Sequence, residues 1–372
     1  MRIGIKVSPL TVLRAGIPNY ILNLLRSLAA IDDRNSYFLY TNRPLPPGLG
    51  IPSRFVQVIV RYPCPWIQLW YQAGLPFRMR RDRLDLFHDP VYPLPVALPV
   101  PGVITVHDLS GVTEPRLHSP RVALASRLLP LHLRRARRII AVSEYTASEV
   151  RRLFPDTAGK IRVVHQGVSK GFRPVDDPRV LSDAAAEYGL PDRFMLFLGT
   201  LEPRKNLERL LESFGSVAGS IPHHLVIAGG LGWKYRGLLR KIEDHPRRDR
   251  ILLTGFVRDR DLPALLSLAD FLVYPSLLEG FGLPVLEAMA CGTPVLTSSV
   301  SSLPEVAGDA ALLVDPLSVD AISSGLMRMA GDDGLRDSLS GRGPLRAAEF
   351  TWERTASLTL EVYREAAGGP AS

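Results

Sequence analysis

Cysteine is scarce in this chain of 372 residues, which contains only Cys64 and Cys291. Two cysteines this far apart in sequence exclude a disulfide framework and a cysteine-based metal centre, and they suit a reducing cytoplasm. The eight histidines are scattered and show no metal-ligand spacing. We therefore expect the protein to work without a metal ion or a cofactor.

Long uninterrupted hydrophobic runs are also lacking. The most apolar segment, Val91–Val106, is broken by Pro93, Pro95, Pro99 and Pro101. A plain membrane-spanning helix needs about 20 apolar residues, so this segment is not one. Because the chain opens with a strand-like segment, we expect no secretory leader before the fold. These features predict a cytoplasmic protein.

Charge is present but unevenly distributed. Residues 1–175 hold 25 of the 45 Lys and Arg and only 10 of the 37 Asp and Glu, so the remainder is mildly acidic. With 46% hydrophobic and 22% charged residues, a chain of this length predicts two globular domains or one large one. The basic half indicates an anionic partner, although an arginine-rich solvated surface would give the same count.

Strand-like and helix-like segments alternate along both halves, which predicts an α/β fold of two Rossmann-like domains with a ligand cleft between them. The polar, proline-bearing stretch Gly171–Pro178 is the predicted linker. A long helix is predicted over Ser119–Arg135, and Ser143 is a predicted N-cap. Other predicted helices cover Ile17–Ala29, Asn206–Ala218, Asp259–Ala269 and Pro284–Ala290. Predicted strands include Arg2–Ser8, Leu84–His88, Val103–His107, Phe194–Leu198, His224–Ala228, Ile251–Thr254 and Phe271–Tyr274.

The most informative segment is Phe271–Val295, FLVYPSLLEGFGLPVLEAMACGTPV. It predicts a buried strand, a glycine-flanked acidic turn with Glu279, and a helix that contains Glu287. Pro284 is well placed as the first helical residue. A helix start offers four unpaired N–H donors and a partial positive charge, which suit a phosphate. With a carboxylate on either side, the segment suits a nucleotide sugar.

These residues resemble the signature of family-4 retaining glycosyltransferases of the GT-B fold. The match S-x-x-E-G-F-G-L-P-x-L-E-A-M-A-x-G-T-P-V covers about twenty consecutive residues. The resemblance implies an acceptor-binding domain over residues 1–172 and a nucleotide-sugar-binding domain over 173–350. It further implies that residues 351–372, with a helix over Trp352–Ala366, return to the first domain. The implied chemistry is metal-independent.

The resemblance assigns most donor contacts to the second half. Glu279 would bind the donor sugar and Glu287 the ribose hydroxyls. In the loop G-T-L-E-P-R-K-N, Arg204 and Lys205 would stabilise the charge of the departing diphosphate. The other implied donor contacts are Gly199, Phe256, Val257, Gly280, Phe281, Gly282 and Leu283.

Other candidate residues lie in the first half. Gly16 resembles a glycine loop over the donor phosphates, although this chain has one glycine where many family members have two or three. A simple helix-start turn explains Gly16 as well. His107 would lie beside the transferred sugar, or it would be a core histidine satisfied by Asp108. Asp108 and Glu144 are candidate acceptor contacts.

The predicted activity is the retaining transfer of a hexose from a nucleotide sugar to a glycan or a lipid-linked saccharide. The loop and turn look most like those of bacterial mannosyltransferases of O-antigen or exopolysaccharide assembly, which use GDP-mannose. UDP-sugar transfer, nucleotide-sugar epimerisation and non-catalytic binding of anions or nucleic acid are the alternatives. The sequence contains no recognised nucleic-acid module, and an NAD-dependent enzyme is disfavoured because no G-x-G-x-x-G follows the first strand.

A further candidate surface is Arg61–Arg83, which mixes Trp66, Trp70 and Phe77 with several arginines. Aromatic residues beside a basic cluster are typical of interfacial membrane binding, here to anionic lipid at the inner face of the plasma membrane. A buried helix stripe that includes Trp70 and Tyr71 explains the same spacing, so both interpretations stay open.

Overall fold

The structure is a computed structural model, and it describes residues 1–12, 16–60, 70–91, 93–117, 124 and 126–368. Trp66 and much of the predicted helix Ser119–Arg135 lie outside these residues. The chain forms two compact units. The first contains the chain up to Gly167, apart from a short stretch that begins at Glu114, together with the segment from Thr351. The second contains Val168–Phe350 and that short stretch.

A parallel sheet forms the centre of the first unit, with the described strands in the order β3-β2-β1-β4-β5-β6-β7. Its strands are short apolar runs, and in β1 Ile5 lies beside Leu39 on one side and His88 on the other. Such runs predict strands that are covered on both faces. The strands are β1 (Arg2–Lys6), β2 (Ser36–Thr41), β3 (Val56–Ile59), β4 (Leu86–Asp89), β5 (Gly102–Val106), β6 (Arg138–Ala141) and β7 (Ile161–Val163).

Helices cover both faces of this sheet. Leu75 of α2, Leu129 of α4 and Val150 of α5 belong to one core cluster, so these three helices lie on the same face. Tyr20 of α1 belongs to the cluster on the other face. The helices are α1 (Ile17–Ile31), α2 (Leu75–Arg81), α3 (Ser110–Thr113), α4 (Leu129–Arg135) and α5 (Glu144–Leu153). The predicted N-cap of α5 is confirmed, because Ser143 accepts a hydrogen bond from the Thr146 amide.

The predicted return of the last helix to the first unit is confirmed. This helix spans Trp352–Ala366, and it buries Trp352, Leu360 and Tyr363 in the core cluster that α1 also lines. Its acidic residue Glu365 forms ion pairs with Arg138 and Arg162 of the first sheet. The last helix is therefore an integral part of the first unit.

The second unit repeats the architecture, with its described strands in the order β10-β9-β8-β11-β12-β13. All the strand pairs are parallel. Its strands are β8 (Phe194–Leu198), β9 (His224–Ala228), β10 (Ile251–Gly255), β11 (Phe271–Tyr274), β12 (Val295–Ser298) and β13 (Leu312–Val314). Its helices are α6 (Pro178–Tyr188), α7 (Leu207–Val217), α8 (Tyr235–Glu243), α9 (Leu262–Leu268), α10 (Leu283–Ala290), α11 (Leu303–Ala307), α12 (Val319–Gly331) and α13 (Asp333–Ala347), so that the last helix is α14.

Several predicted boundaries are wrong by a few residues. The first strand ends at Lys6 and not at Ser8, and a turn at residues 127 and 128 interrupts the helix predicted over Ser119–Arg135. The structure begins β4 at Leu86, two residues later than predicted. It begins α9 at Leu262, three residues later than predicted. The carboxylate of Asp261, the residue before α9, accepts hydrogen bonds from Tyr188 (2.7 Å) and Arg258 (2.6 Å), which hold the preceding residues in a turn.

Candidate active site

The second sheet changes direction between β8 and β11, since the chain builds β9 and β10 on one side before it returns to β11 on the other. In open α/β sheets, ligands bind at the carboxyl ends of the two strands that flank such a switch point. Arg204 and Lys205 follow β8, whereas Ser276 and Glu279 follow β11. The predicted cations and the predicted carboxylate thus lie at the place where this fold binds ligands.

Glu279 is the centre of a hydrogen-bonded cluster. Its Oε2 accepts a bond from Arg204 Nη1 (2.6 Å), and its Oε1 accepts bonds from Lys205 Nζ (2.7 Å) and Ser276 Oγ (2.6 Å). The Tyr274 hydroxyl also donates to Oε1 (3.0 Å). The structure therefore brings together three of the predicted site residues.

The charges of this cluster are mutually stabilised. Burial raises the pKa of Glu279, but Arg204 and Lys205 outweigh it and hold that pKa at about 2. Burial lowers the pKa of Lys205, and Glu279 opposes this shift. Glu202 adds a second carboxylate, which accepts a bond from Arg204 Nη2 (2.7 Å). Glu279 is accordingly an ionised acceptor at any physiological pH and does not act as a general acid.

Two glycines bring the ends of neighbouring strands close together beside Lys205. Gly199, at the end of β8, has a φ of +155°, and an added Cβ there would lie 3.7 Å from the Lys205 side chain. An added Cβ on Gly229, at the end of β9, would lie 1.9 Å from the Gly199 carbonyl oxygen. Glycine at both positions lets adjacent strand ends approach closely. The predicted contact Gly199 therefore lies next to the loop that contains Arg204 and Lys205, which we call the cationic loop.

The turn from Gly280 to Leu283 starts helix α10. Gly282 has a φ of +115°, which favours glycine, and the Phe281 ring is buried edge-on against Phe350 at 5.7 Å. Four free donors were expected here, but Pro284, the second helical residue, has no N–H, and the Val285 amide bonds the Gly282 carbonyl (3.0 Å). Within the described part of the chain, the Gly282 and Leu283 amides keep no protein partner.

Glu287 lies about one turn along α10 and is not part of the Glu279 cluster. Its side chain is half-buried, and within the described residues it accepts no hydrogen bond from a side chain or an amide. Burial, followed by repulsion from Asp259, raises its pKa to about 7. The Glu287 carboxyl thus keeps its proton at mildly acidic pH, where a solvent-exposed glutamate is ionised. A raised pKa means that this group lowers the stability of the fold progressively as pH rises from about 4.5 to 7.

Phe256 and Val257 follow β10, the edge strand of the second sheet. The Phe256 side chain is 65% exposed, whereas Val257 is buried. The Phe256 ring therefore does not belong to the core. A large exposed aromatic side chain at the end of a strand of this sheet is available to stack on a planar ligand.

His107 follows β5 in the first unit and is held from two sides. Its Nε2 lies 2.8 Å from the Pro90 carbonyl oxygen, and its ring packs edge-on to Tyr20 at 4.8 Å. Burial lowers its pKa, so the ring is neutral. Because a carbonyl only accepts, Nε2 carries the proton and Nδ1 presents a lone pair. Asp108 does not satisfy His107 but accepts bonds from Ser110, so that alternative is wrong.

Within the described chain, the remaining candidates of the first unit, Gly16 and Glu144, do not belong to a buried hydrogen-bonded cluster like that around Glu279. Gly16 precedes α1 with a φ of +88°, and an added Cβ there would meet no described atom within 4 Å. Glu144 is exposed and lies 3.5 Å from Arg151. The structure thus gives Glu144 a surface ion pair, which contributes little to stability.

Sequence reasoning missed several residues of the Glu279 cluster. Tyr274 read only as the end of a strand, and Ser276 only as the first letter of the matched motif. Glu202 stands in the cationic loop, where an acid is the less expected charge. The spacing S-x-x-E was the available signal for Ser276, since a turn of three residues brings such side chains together.

Within the described residues, each helix is too short or too polar to cross a lipid bilayer. The same residues contain no group of three or more His, Cys, Asp or Glu side chains arranged to hold a metal ion.

Two family models together match most of the chain. Residues 14–171 match glycosyltransferase family 4, and residues 184–346 match glycosyl transferases group 1. The O-antigen chain mannosyltransferase B of Escherichia coli is 38% identical over 289 residues, which cover 76% of this chain and 75% of that protein. The chain belongs to glycosyltransferase family 4. It is an enzyme of the glycosyltransferase class.

Two further similarities place this glycosyltransferase among its relatives. The serotype-specific mannosyltransferase WbdA of Escherichia coli is 32% identical over 62% of this chain, but the match spans only 29% of WbdA. A sucrose-phosphate synthase from Thermosynechococcus elongatus has the same fold, with a TM-score of 0.79 and 22% identity over 98% of both chains. The predicted GT-B fold is therefore confirmed.

Proposed function

We propose that this glycosyltransferase moves mannose from GDP-mannose to a glycan or a lipid-linked saccharide with retention of anomeric configuration. The main support for this proposal is the cluster of Arg204, Lys205 and Glu279 at the switch point of the second sheet. The similar mannosyltransferases of Escherichia coli support mannose as the sugar. A UDP-sugar donor is the alternative.

The cationic side of the cluster suits a diphosphate leaving group. Arg204 and Lys205 are held in place by carboxylates, so little reorganisation is needed when negative charge develops beside them. Such preorganised electrostatic stabilisation is usually the largest single contribution to catalysis. The Gly282 and Leu283 amides add two donors for phosphate oxygens. Since Arg204 and Lys205 offset the negative charge of the leaving group, the proposed reaction needs no divalent cation.

The acidic side of the cluster suits a sugar hydroxyl. Three donors already bond Oε1 of Glu279, whereas Oε2 accepts one bond, from Arg204. A carboxylate oxygen accepts about two hydrogen bonds, so Oε2 has room for a hydroxyl. A carboxylate paired with two cations is a weak nucleophile. These contacts favour a hydroxyl-binding role for Glu279 over a covalent intermediate on it.

A thermal-shift screen followed by a transfer assay tests the donor. GDP-mannose at a hundredfold excess over its dissociation constant should stabilise the protein by about 2.7 kcal/mol, and UDP-sugars should stabilise it less. In the presence of EDTA, GDP-mannose and an α-linked mannotriose should yield an α-linked product. Stabilisation by a UDP-sugar and not by GDP-mannose would show that the donor is a UDP-sugar. A β-linked product would contradict retention.

A second part of the proposal places the enzyme on anionic lipid. Phe77 of α2 is 69% exposed, and Leu128 and Leu131, at and after the start of α4, are 56% and 43% exposed. Both helices lie on the same face of the first sheet, and α2 carries Arg80 and Arg81. Exposed apolar side chains among arginines suit a lipid headgroup layer. Tyr71 is buried, so it does not contribute to this face.

We expect the protein to sediment with vesicles that contain anionic lipid and to be released by added salt, because salt screens exposed charges. Phe77→Asp combined with Leu128→Asp should weaken sedimentation about tenfold or more, since it removes apolar contact and adds repulsion. Leu345→Asp is the control, because Leu345 is exposed on the second unit. Equal sedimentation of all three proteins, or equal binding to neutral vesicles, would contradict this location.

A further inference from the structure

The first sheet has a switch point of its own, between β1 and β4. The chain builds β2 and β3 on one side of β1 and then returns to β4 on the other. Lys6 is the last residue of β1 and Asp89 the last residue of β4. Lys6 Nζ donates a hydrogen bond to Asp89 Oδ2 (2.8 Å), and Asp89 is fully buried. This pair joins residues that are 83 positions apart in sequence.

The same three side-chain types meet at both switch points. In the first unit, the Tyr71 hydroxyl contacts Asp89, and Lys6 Nζ lies 4.6 Å from the centre of the Tyr71 ring. In the second unit, Tyr274 contacts Glu279, and Lys205 Nζ lies 4.9 Å from the Tyr274 ring centre. Each unit thus has a lysine at the end of its first strand or in the loop after it, a buried carboxylate at or after the end of the strand across the switch, and a tyrosine that contacts both.

Lys6 has hydrogen-bonding capacity that the protein does not use. An ammonium group has three N–H donors, and within the described chain Lys6 gives one of them to Asp89. The Lys6 side chain is 13% exposed, so it is not sealed inside the core as Asp89 is. Asp89 has no such exposure and serves to hold Lys6 in position. Partly buried donors without partners favour a polar ligand.

An acceptor group lies on the next strand end. Pro90 follows Asp89 directly, and its carbonyl bonds His107 Nε2, which leaves Nδ1 of His107 as an acceptor. The neighbouring strands β1, β4 and β5 therefore present a donor at Lys6 and an acceptor at His107. The Lys6–Asp89 pair is neutral overall and His107 is uncharged. A hydroxyl, which both accepts and donates, matches this set better than a phosphate does.

We infer that Lys6, held by Asp89 and Tyr71, binds a hydroxyl of the acceptor saccharide. The inference rests on the proposed function, because an acceptor is needed only if a sugar is transferred. Lys6 is a binding residue, and Asp89 is the residue that positions it. Neither residue belongs to the hydrogen-bonded cluster around Glu279.

The test uses the full chain with GDP-mannose and an α-linked mannotriose. Lys6→Met removes the donor but leaves Asp89 buried without its cation, so Lys6→Met combined with Asp89→Asn is the second variant. We expect the KM for mannotriose to rise about tenfold to a hundredfold in both variants. The KM for GDP-mannose and its acceptor-independent hydrolysis should change less than twofold. Lys241→Met, which breaks the exposed Lys241–Glu208 pair, is the control and should match the parent.

An unchanged KM for mannotriose in the folded double variant would overturn the inference, and so would an equal rise in both KM values. If the parent transfers no sugar, the proposed function fails separately. Saturation-transfer NMR then measures whether mannotriose binds, which tests the proposed role of Lys6 without sugar transfer. Mannotriose binding that is lost in the double variant supports it. No binding to the parent, or Lys6-dependent binding of inorganic phosphate instead, refutes it.

Discussion

Glu279→Gln should lower the rate of sugar transfer by a factor of about 100 to 1,000, the usual cost of removing a preorganised charged contact at a reacting centre. The amide has the size of the carboxylate but leaves Arg204 and Lys205 without their shared counter-ion. Breaking a buried ion pair costs about 3–5 kcal/mol, so the variant should also unfold at a lower temperature. The measurements are kcat and KM for donor and acceptor, with thermal unfolding of the same samples.

Glu208→Gln is the matched control for this variant. Glu208 also pairs with a lysine, Lys241, but both side chains are more than half exposed. An exposed pair is worth about 0–1 kcal/mol, so both activity and stability should stay close to the parent. Parent-level turnover in Glu279→Gln, with the natural donor and acceptor, would refute the role of Glu279 in donor binding.

Truncation after Phe350 should unfold the first unit. The deletion removes α14, whose Trp352, Leu360 and Tyr363 are buried in the core beside α1. Burying one large apolar side chain contributes about 1.5–3 kcal/mol, and several such losses approach the whole stability of a domain, about 5–15 kcal/mol. Limited proteolysis should then degrade residues 1–167 and leave a resistant fragment of about Val168–Phe350.

A chain that ends at Gly368 is the control for the truncation, since it keeps α14 whole. It should unfold like the parent. Resistance of residues 1–167 to proteolysis in the protein that ends at Phe350 would contradict the structural role of α14. Loss of both units together would show that the second unit is not independently stable.

Local patterns were sufficient to predict most elements of the fold. Strands such as Phe194–Leu198 and Phe271–Tyr274 are short apolar runs, and their observed bounds agree with the predicted ones. Arg204, Lys205 and Glu279 could be placed near one another because each lies in a loop that follows a strand of one parallel sheet. Helix starts were harder, because hydrogen bonds from distant residues such as Tyr188 decide where α9 begins.

Contacts that depend on strand order could not be predicted. The Lys6–Asp89 pair exists because β4 lies beside β1, and the sequence alone does not show that the chain skips two strands to return there. The Tyr274 hydroxyl likewise joins two loops, because it contacts Lys205 from the loop after β8 and Glu279 from the loop after β11. The exposure of Phe256 reflects its position after an edge strand, which the sequence pattern does not reveal.

The place of α14 also sets an order for biosynthesis. A ribosome delivers the strands of the first sheet before the second unit, but residues 352–366, which complete the core of the first unit, leave the exit tunnel after the second unit. Apart from one short stretch, the residues of the second unit are consecutive, so it can close as soon as it emerges. The half of the enzyme that is translated first is therefore the half that matures second, and nascent chains expose its apolar α1 surface to chaperones until the second unit and α14 have emerged.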